Sequence, residues 1–155
     1  MKISYEEGAW FAVPLRNGGV AIGLVARTAR KGGVFLGYFF GPRRKAFVDL
    51  REVQDLRPEN AVLVAQVGDL SLIRGDWPIV GYSAAWKRPD WPIPPFRRVD
   101  PLTHKVWRVQ YSDLDANVIV SEEPLSRDDE TIREDSLLGS GAAELVLTNL
   151  LSQDS

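Results

Sequence analysis

The sequence predicts a mainly β fold of the α+β class: a strongly curved antiparallel sheet or small barrel with short helical turns and a C-terminal segment that reads as helix. Three observations carry this. Residues 9–41 hold three apolar runs separated by glycine-rich turns, and further short apolar or alternating runs recur at 61–67, 79–82, 96–99, 105–111 and 117–120. The early runs are apolar at both odd and even positions, so both faces of the sheet they form need cover.

The first run, Trp10-Phe11-Ala12-Val13-Pro14-Leu15, meets Val20-Ala21-Ile22-Gly23-Leu24-Val25-Ala26 across Arg16-Asn17-Gly18-Gly19. Asn-Gly between apolar runs is a strong hairpin signal, and a type I′ turn is expected there. The third run, Val34-Phe35-Leu36-Gly37-Tyr38-Phe39-Phe40, follows Lys31-Gly32-Gly33. It is expected to stop at Gly41-Pro42, because proline donates no ladder hydrogen bond. In the second strand Val20, Ile22, Leu24 and Ala26 share one face and Ala21, Gly23 and Val25 the other, so something must pack closely against the small face. In the third, Val34, Leu36, Tyr38 and Phe40 oppose Phe35, Gly37 and Phe39, too much aromatic surface for a sheet with one side in water. Gly23 and Gly37 are where such a sheet would bend.

Pro58-Glu59-Asn60 reads as a single helical or 3₁₀ turn ahead of a buried strand over 61–67. Leu70-Ser71-Leu72-Ile73-Arg74 reads as one helical turn closed by Gly75, with Leu72 and Ile73 anchoring it in the core, and a strand over 79–82 follows Trp77-Pro78. Pro89, Pro92, Pro94 and Pro95 bar regular helix and central strand from 86–96. That segment should run extended as a lid pinned by Trp91 and Phe96; in the alternative, Trp86 or Trp91 is exposed and serves as a binding hot spot. Strands follow at 96–99, 105–111 and 117–120. The middle one alternates Val106, Arg108 and Gln110 with Trp107, Val109 and Tyr111, as a half-buried edge strand would. Residues 121–137 are acidic and poor in large apolar side chains, which suits a flexible connection. In 141–151, Ala142, Leu145, Val146 and Leu150 fall on one helical stripe, although 144–148 also suits a strand.

With 155 residues, 45% hydrophobic and 26% charged, the chain can bury one sizeable core, and one domain over 1–155 is expected. It has no cysteine, which excludes disulfides, zinc-thiolate sites and thiol chemistry. The N-terminus lacks the apolar core of a signal peptide, and no apolar run approaches the roughly 18 residues of a membrane span, so a cytoplasmic protein is expected. The net charge of −2 conceals a gradient. Residues 1–51 carry nine basic and three acidic side chains, residues 52–111 eight and seven, and residues 112–155 two and eleven. Either folding brings the ends together, or the acidic end forms a surface for a basic partner.

Four blocks together resemble the immunity protein 26 family: Trp10-Phe11-Ala12-Val13-Pro14-Leu15, Gly37-Tyr38-Phe39-Phe40-Gly41-Pro42, Asp69-Leu70-Ser71-Leu72-Ile73-Arg74-Gly75-Asp76-Trp77-Pro78 and Trp91-Pro92-Ile93-Pro94-Pro95-Phe96. The resemblance spans roughly residues 8 to 111. It implies a bacterial cytoplasmic immunity protein of a polymorphic toxin system, one that binds and neutralises a cognate toxin domain. It implies no catalytic residue, and no cofactor is expected.

The residues themselves add little for catalysis. His104, the only histidine, lies in a polar turn with no identifiable triad partners. Asp113-Leu114-Asp115-Ala116-Asn117 imitates the start of a calcium loop, but Val118 stands where glycine is needed and Pro124 where a bidentate glutamate belongs. Arg43, Arg44 and Lys45, with Arg97 and Arg98, define the alternative function, a small nucleic-acid-binding β-barrel, against which the acidic balance argues. The expected partner-binding residues are Asp113, Asp115, Glu122, Glu123, Asp128, Asp129, Glu130, Trp86 and Trp91.

Overall fold

The first three apolar runs form consecutive antiparallel strands in the computed structural model, which describes residues 5–45 and 48–152. They are β1 (Ala9–Pro14), β2 (Val20–Thr28) and β3 (Val34–Arg44). Strand β4 (Leu63–Gly68) adds antiparallel to β3, and β5 (Ile79–Tyr82) adds antiparallel to β1. A second sheet is built from β6 (Phe96–Val99), β7 (Val106–Tyr111), β8 (Ile119–Leu125) and β9 (Arg133–Glu134). The two-residue β10 (Leu137–Leu138) returns to pair parallel with β4. The larger sheet therefore runs β10-β4-β3-β2-β1-β5 and the smaller β8-β7-β6-β9. The fold is mainly β with open sheets; the barrel form does not close.

Because β2 and β3 are apolar on both faces, the larger sheet lies between two covering layers. Ile22, Leu24, Tyr38 and Phe40 pack with Trp91, Phe96, Val109 and Tyr111 of the second sheet and its approach. On the other face Phe11, Val25, Phe35 and Phe39 pack with Trp77 and with Ala143, Leu147 and Leu151 of α2 (Ser140–Ser152). The small face is filled by aromatic rings laid over the glycines: a Cβ on Gly23 would collide with the Phe11 ring, and one on Gly37 would sit 2.8 Å from Phe39. Trp77, fully buried, stacks on Phe11 at 5.8 Å, and its indole N–H donates to Glu144 Oε2 at 2.8 Å. Glu144 Oε1 accepts from Arg16 Nε at 3.1 Å, and the Arg16 backbone N–H donates to Thr148 Oγ1 at 2.9 Å, fixing α2 to the first hairpin.

Several elements depart from the sequence reading. In the first hairpin Gly18 N donates to Leu15 O, and positive φ falls on Gly18 (+96°) and Gly19 (+74°) but not on Asn17, so the turn is not type I′. The loop has one more residue than Asn-Gly alone requires, which moves the left-handed position on to the glycines. Strand β3 continues through Gly41-Pro42 to Arg44. The register passes from Ile22↔Phe40 to Val20↔Arg44, so Pro42 sits in a bulge where no ladder donor is needed. In α1 (Leu70–Arg74) Leu72 is buried but Ile73 is 46% exposed, since a single turn turns only one side to the core. Strand β7 is interior, paired on both sides, and not an edge. In α2 the buried stripe is Ala143, Leu147 and Leu151; Leu145 and Leu150 are exposed. That helix is apolar nearly all round, so its pattern could not fix which side faces inward. Residues 121–137, read as a connection, contain part of β8 and all of β9. A 3₁₀ turn at Leu50–Val53 went unread although Asp49 and Glu52 form the acid-x-x-Glu capping box that announces it.

Replacing Gly18 with Val should lower stability by about 1 kcal/mol or more, because a β-branched residue resists positive φ even though open space surrounds the site. Gly19→Val should cost more, since its Cβ would lie 2.5 Å from Arg44 O. Urea midpoints for the two variants measure this, and an unchanged midpoint for both would refute the assigned turn.

Candidate functional site

The acidic segment folds against the arginines of the second sheet. Arg98 Nη2 donates to Glu122 Oε1 at 2.7 Å, and Arg97 Nη1 donates to Asp128 Oδ1 at 2.9 Å. The Asp135 backbone N–H donates to Arg97 O at 2.8 Å, and Asp135 Oδ1 accepts from the Tyr111 hydroxyl at 2.7 Å. Burial, reinforced by that carboxylate, pushes the Tyr111 phenol well above its ordinary range. Part of the charge gradient is thus neutralised internally: β8 brings Glu122 to β6 across β7, and Asp128 reaches Arg97 from the segment between β8 and β9.

Asp113 has a different setting. Arg27 lies in β2 with its side chain 3% exposed, and its Nε donates to Asp113 Oδ1 at 2.9 Å while Nη1 donates to Ala26 O at 2.6 Å. Arg88 donates Nε to Glu7 Oε1 at 2.7 Å and places Nη1 and Nη2 on the Asp113 carboxylate and carbonyl. A buried guanidinium needs a counter-charge, and Asp113 supplies it from the loop after β7. The same loop is held at Ala116, whose N–H donates to Thr28 O at 3.1 Å and whose carbonyl accepts from Gln66 Nε2.

Of the seven acidic candidates, Asp113, Glu122 and Asp128 are therefore engaged in ion pairs within the chain. Asp115 accepts from the Asn117 N–H at 3.0 Å, and Asp129 accepts from Thr131. Glu123 and Glu130 make no hydrogen bond or ion pair among the described residues, so four of the seven candidates are without an ion-pairing partner there. Trp91 is 5% exposed and meets Trp10, Tyr38 and Phe40 edge to face at 5.8, 5.3 and 6.0 Å. The Tyr38 hydroxyl donates to Pro92 O at 2.5 Å, closing the proline segment on to β3, and burial pushes that phenol up to about 12. Trp91 thus sits where the lid reading puts it. Trp86 is half-buried, covering Gly8, and its segment includes a 3₁₀ turn at Arg88–Asp90 instead of running extended throughout.

The basic residues do not form one surface. Arg43 and Arg44 end β3 in the larger sheet, whereas Arg97 and Arg98 are ion-paired in the smaller. His104 sits at φ +59° in the β6–β7 turn, which Asp100 organises by accepting from the Leu102 and Thr103 N–H groups at 2.8 and 3.1 Å. What the sequence reading missed is apolar. Leu114, Val118, Ile119 and Val120 are exposed side by side in the chain, bordering the acidic residues. The signal in the sequence is the β-branched run Val118-Ile119-Val120 abutting a charged stretch, which by itself reads only as a strand.

Among families of known proteins, the one described as Immunity protein 26 matches residues 6–108. No curated protein and no solved structure matches the chain. The matched region ends inside β7, so β8, the acidic segment and α2 lie beyond it.

The Arg88 and Arg27 guanidiniums hold the Asp113 carboxyl below the usual carboxylate range. The stability this contributes is complete above the unfolded-state value of about 3.9 and is lost as pH falls through the lower folded value. Asp113→Asn should cost about 1–3 kcal/mol at neutral pH, because it strips the counter-charge from buried Arg27. It should also flatten the decline of the denaturation midpoint between about pH 5 and pH 2. A variant with wild-type stability and an unaltered acid decline would show the pair to be inconsequential.

Proposed function

The chain belongs to the immunity protein 26 family, and we propose that it binds a cognate bacterial toxin domain and neutralises it by stoichiometric occlusion. The family match carries this reading. The chain acts as one immunity-type domain of a polymorphic toxin system, in the cytoplasm where the toxin would otherwise act. No turnover is involved and no cofactor takes part. Among the described residues, no helix is long and apolar enough to cross a membrane.

The surface chemistry supports a basic partner. Asp115, Glu123, Asp129 and Glu130 have no ion-pairing partner among the described residues, so their field extends into solvent. Complementary charge raises the association rate and orients the encounter, while buried apolar contacts set the dissociation rate. A toxin whose substrate groove is basic, as a nuclease's must be, fits such an inhibitor.

Binding kinetics at low and high salt test the proposal, the partner being the toxin domain that the proposal expects a reading frame adjacent to this gene to encode. Wild type should bind one to one and abolish toxin activity at equimolar ratio. A variant with Asp115, Glu123, Asp129 and Glu130 changed to Asn or Gln should associate on the order of tenfold more slowly at low salt, with a flatter salt dependence. Leaving Asp113, Glu122 and Asp128 intact keeps the internal ion pairs and hence the fold. No binding by wild type would overturn the function; binding with equal association rates would remove the acidic surface from it.

A further inference from the structure

Four of the exposed large apolar side chains fall within seven consecutive positions. Leu114 is 69% exposed, Val118 45%, Ile119 40% and Val120 60%. The sheet register explains why neither strand residue is buried: Gln110 pairs with Ser121 and Tyr111 with Ile119, so Val120 is an extra residue in a bulge at the edge of the smaller sheet. A bulge re-aims a side chain and breaks alternation. Among the described residues, β8 pairs with β7 alone, and its other edge has no strand partner.

The patch is also held in place. Asp113 is pinned by Arg27 and Arg88, Ala116 is tied to Thr28 and Gln66, and Ser112 N donates to Val118 O at 2.7 Å. The loop between β7 and β8 is thereby braced against the larger sheet, with its apolar side chains outward. Isoleucine and valine have few rotamers to lose, so immobilising them in a contact costs little entropy. Clustered apolar exposure rimmed by charge marks an interaction surface.

We infer that Leu114, Val118, Ile119 and Val120 form the apolar centre of the toxin interface, with Asp115, Glu122 and Glu123 as its acidic border. This rests on the proposed function and assigns the surface that performs it. The occupant is a protein with an apolar patch bordered by lysine or arginine. A second copy of this chain does not fit, because a self-complementary contact would set these carboxylates against their own images. Trp86 is half-buried over Gly8 and Trp91 lies in the core, so neither is part of this exposed apolar centre.

The test compares two double variants in binding to the adjacent toxin domain, with denaturation midpoints recorded for each. Leu114→Ser with Val120→Ser should leave the midpoint and association rate near wild type and speed dissociation at least tenfold. Leu145→Ser with Leu150→Ser, which removes exposed apolar side chains from α2 on the opposite side of the larger sheet, should leave both rates unchanged. If wild type binds and the first variant dissociates no faster, the inference is overturned while the function stands; if wild type fails to bind, the function falls and the inference with it. Light scattering that shows a concentration-dependent dimer, abolished by Leu114→Ser with Val120→Ser, would assign the patch to a second copy and overturn the inference as well.

Discussion

A sheet that is apolar on both faces cannot stand in water, and the rest of this fold answers that constraint. Strands β2 and β3 bury residues from Val20 to Ala26 and from Phe35 to Phe40 almost without interruption. Each face needs a cover of its own. One is a helix with Trp77 beneath it; the other is a second sheet together with a proline-rich lid. The chain beyond β5 is largely the making of these covers, which is why its segments are short and return repeatedly to the same strands.

Two carboxylates hold the covers at the polar margins. Glu144 takes the Trp77 indole on one oxygen and Arg16 on the other, joining α2, the first hairpin and the aromatic stack. Asp113 does the corresponding work on the opposite side, between Arg27 of β2 and Arg88 of the lid. Neither contact supplies the bulk of the burial; hydrophobic area does. Each selects one arrangement of a cover over others of similar area, and the Asp113 contact also fixes the loop that carries Leu114 outward. A buried arginine in the core sheet thus has a consequence at the surface.

The first three strands were legible because glycine pairs punctuate them and alternation assigns their faces: Ile22 with Leu24 and Ala21 with Val25 lie as the period of two requires. The side of α2 was not legible, since Leu145 and Leu150 are as apolar as Leu147. Nor were β9 and β10, two residues each, whose parallel pairing with β6 and β4 depends on tertiary context and not on any local pattern. At the candidate site, composition alone located the acidic segment. Which carboxylates are engaged was beyond it, because Arg27, Arg88, Arg97 and Arg98 lie 24 to 86 positions from their partners. The apolar patch beside them was hidden by a bulge, a one-residue slip that turns a half-buried strand end into an exposed one.

The fold and its surface meet at the β7–β8 loop: the core sheet requires a cover, the cover has an open edge, and a braced loop at that edge presents four apolar side chains among carboxylates. Hydrogen–deuterium exchange on the protein alone and in complex with the adjacent toxin domain tests this most directly. Exchange over 114–123 should slow on binding relative to the free protein, with β1–β4 unchanged. Slowing confined to α2 and β10, with 114–123 exchanging as in the free protein, would contradict it.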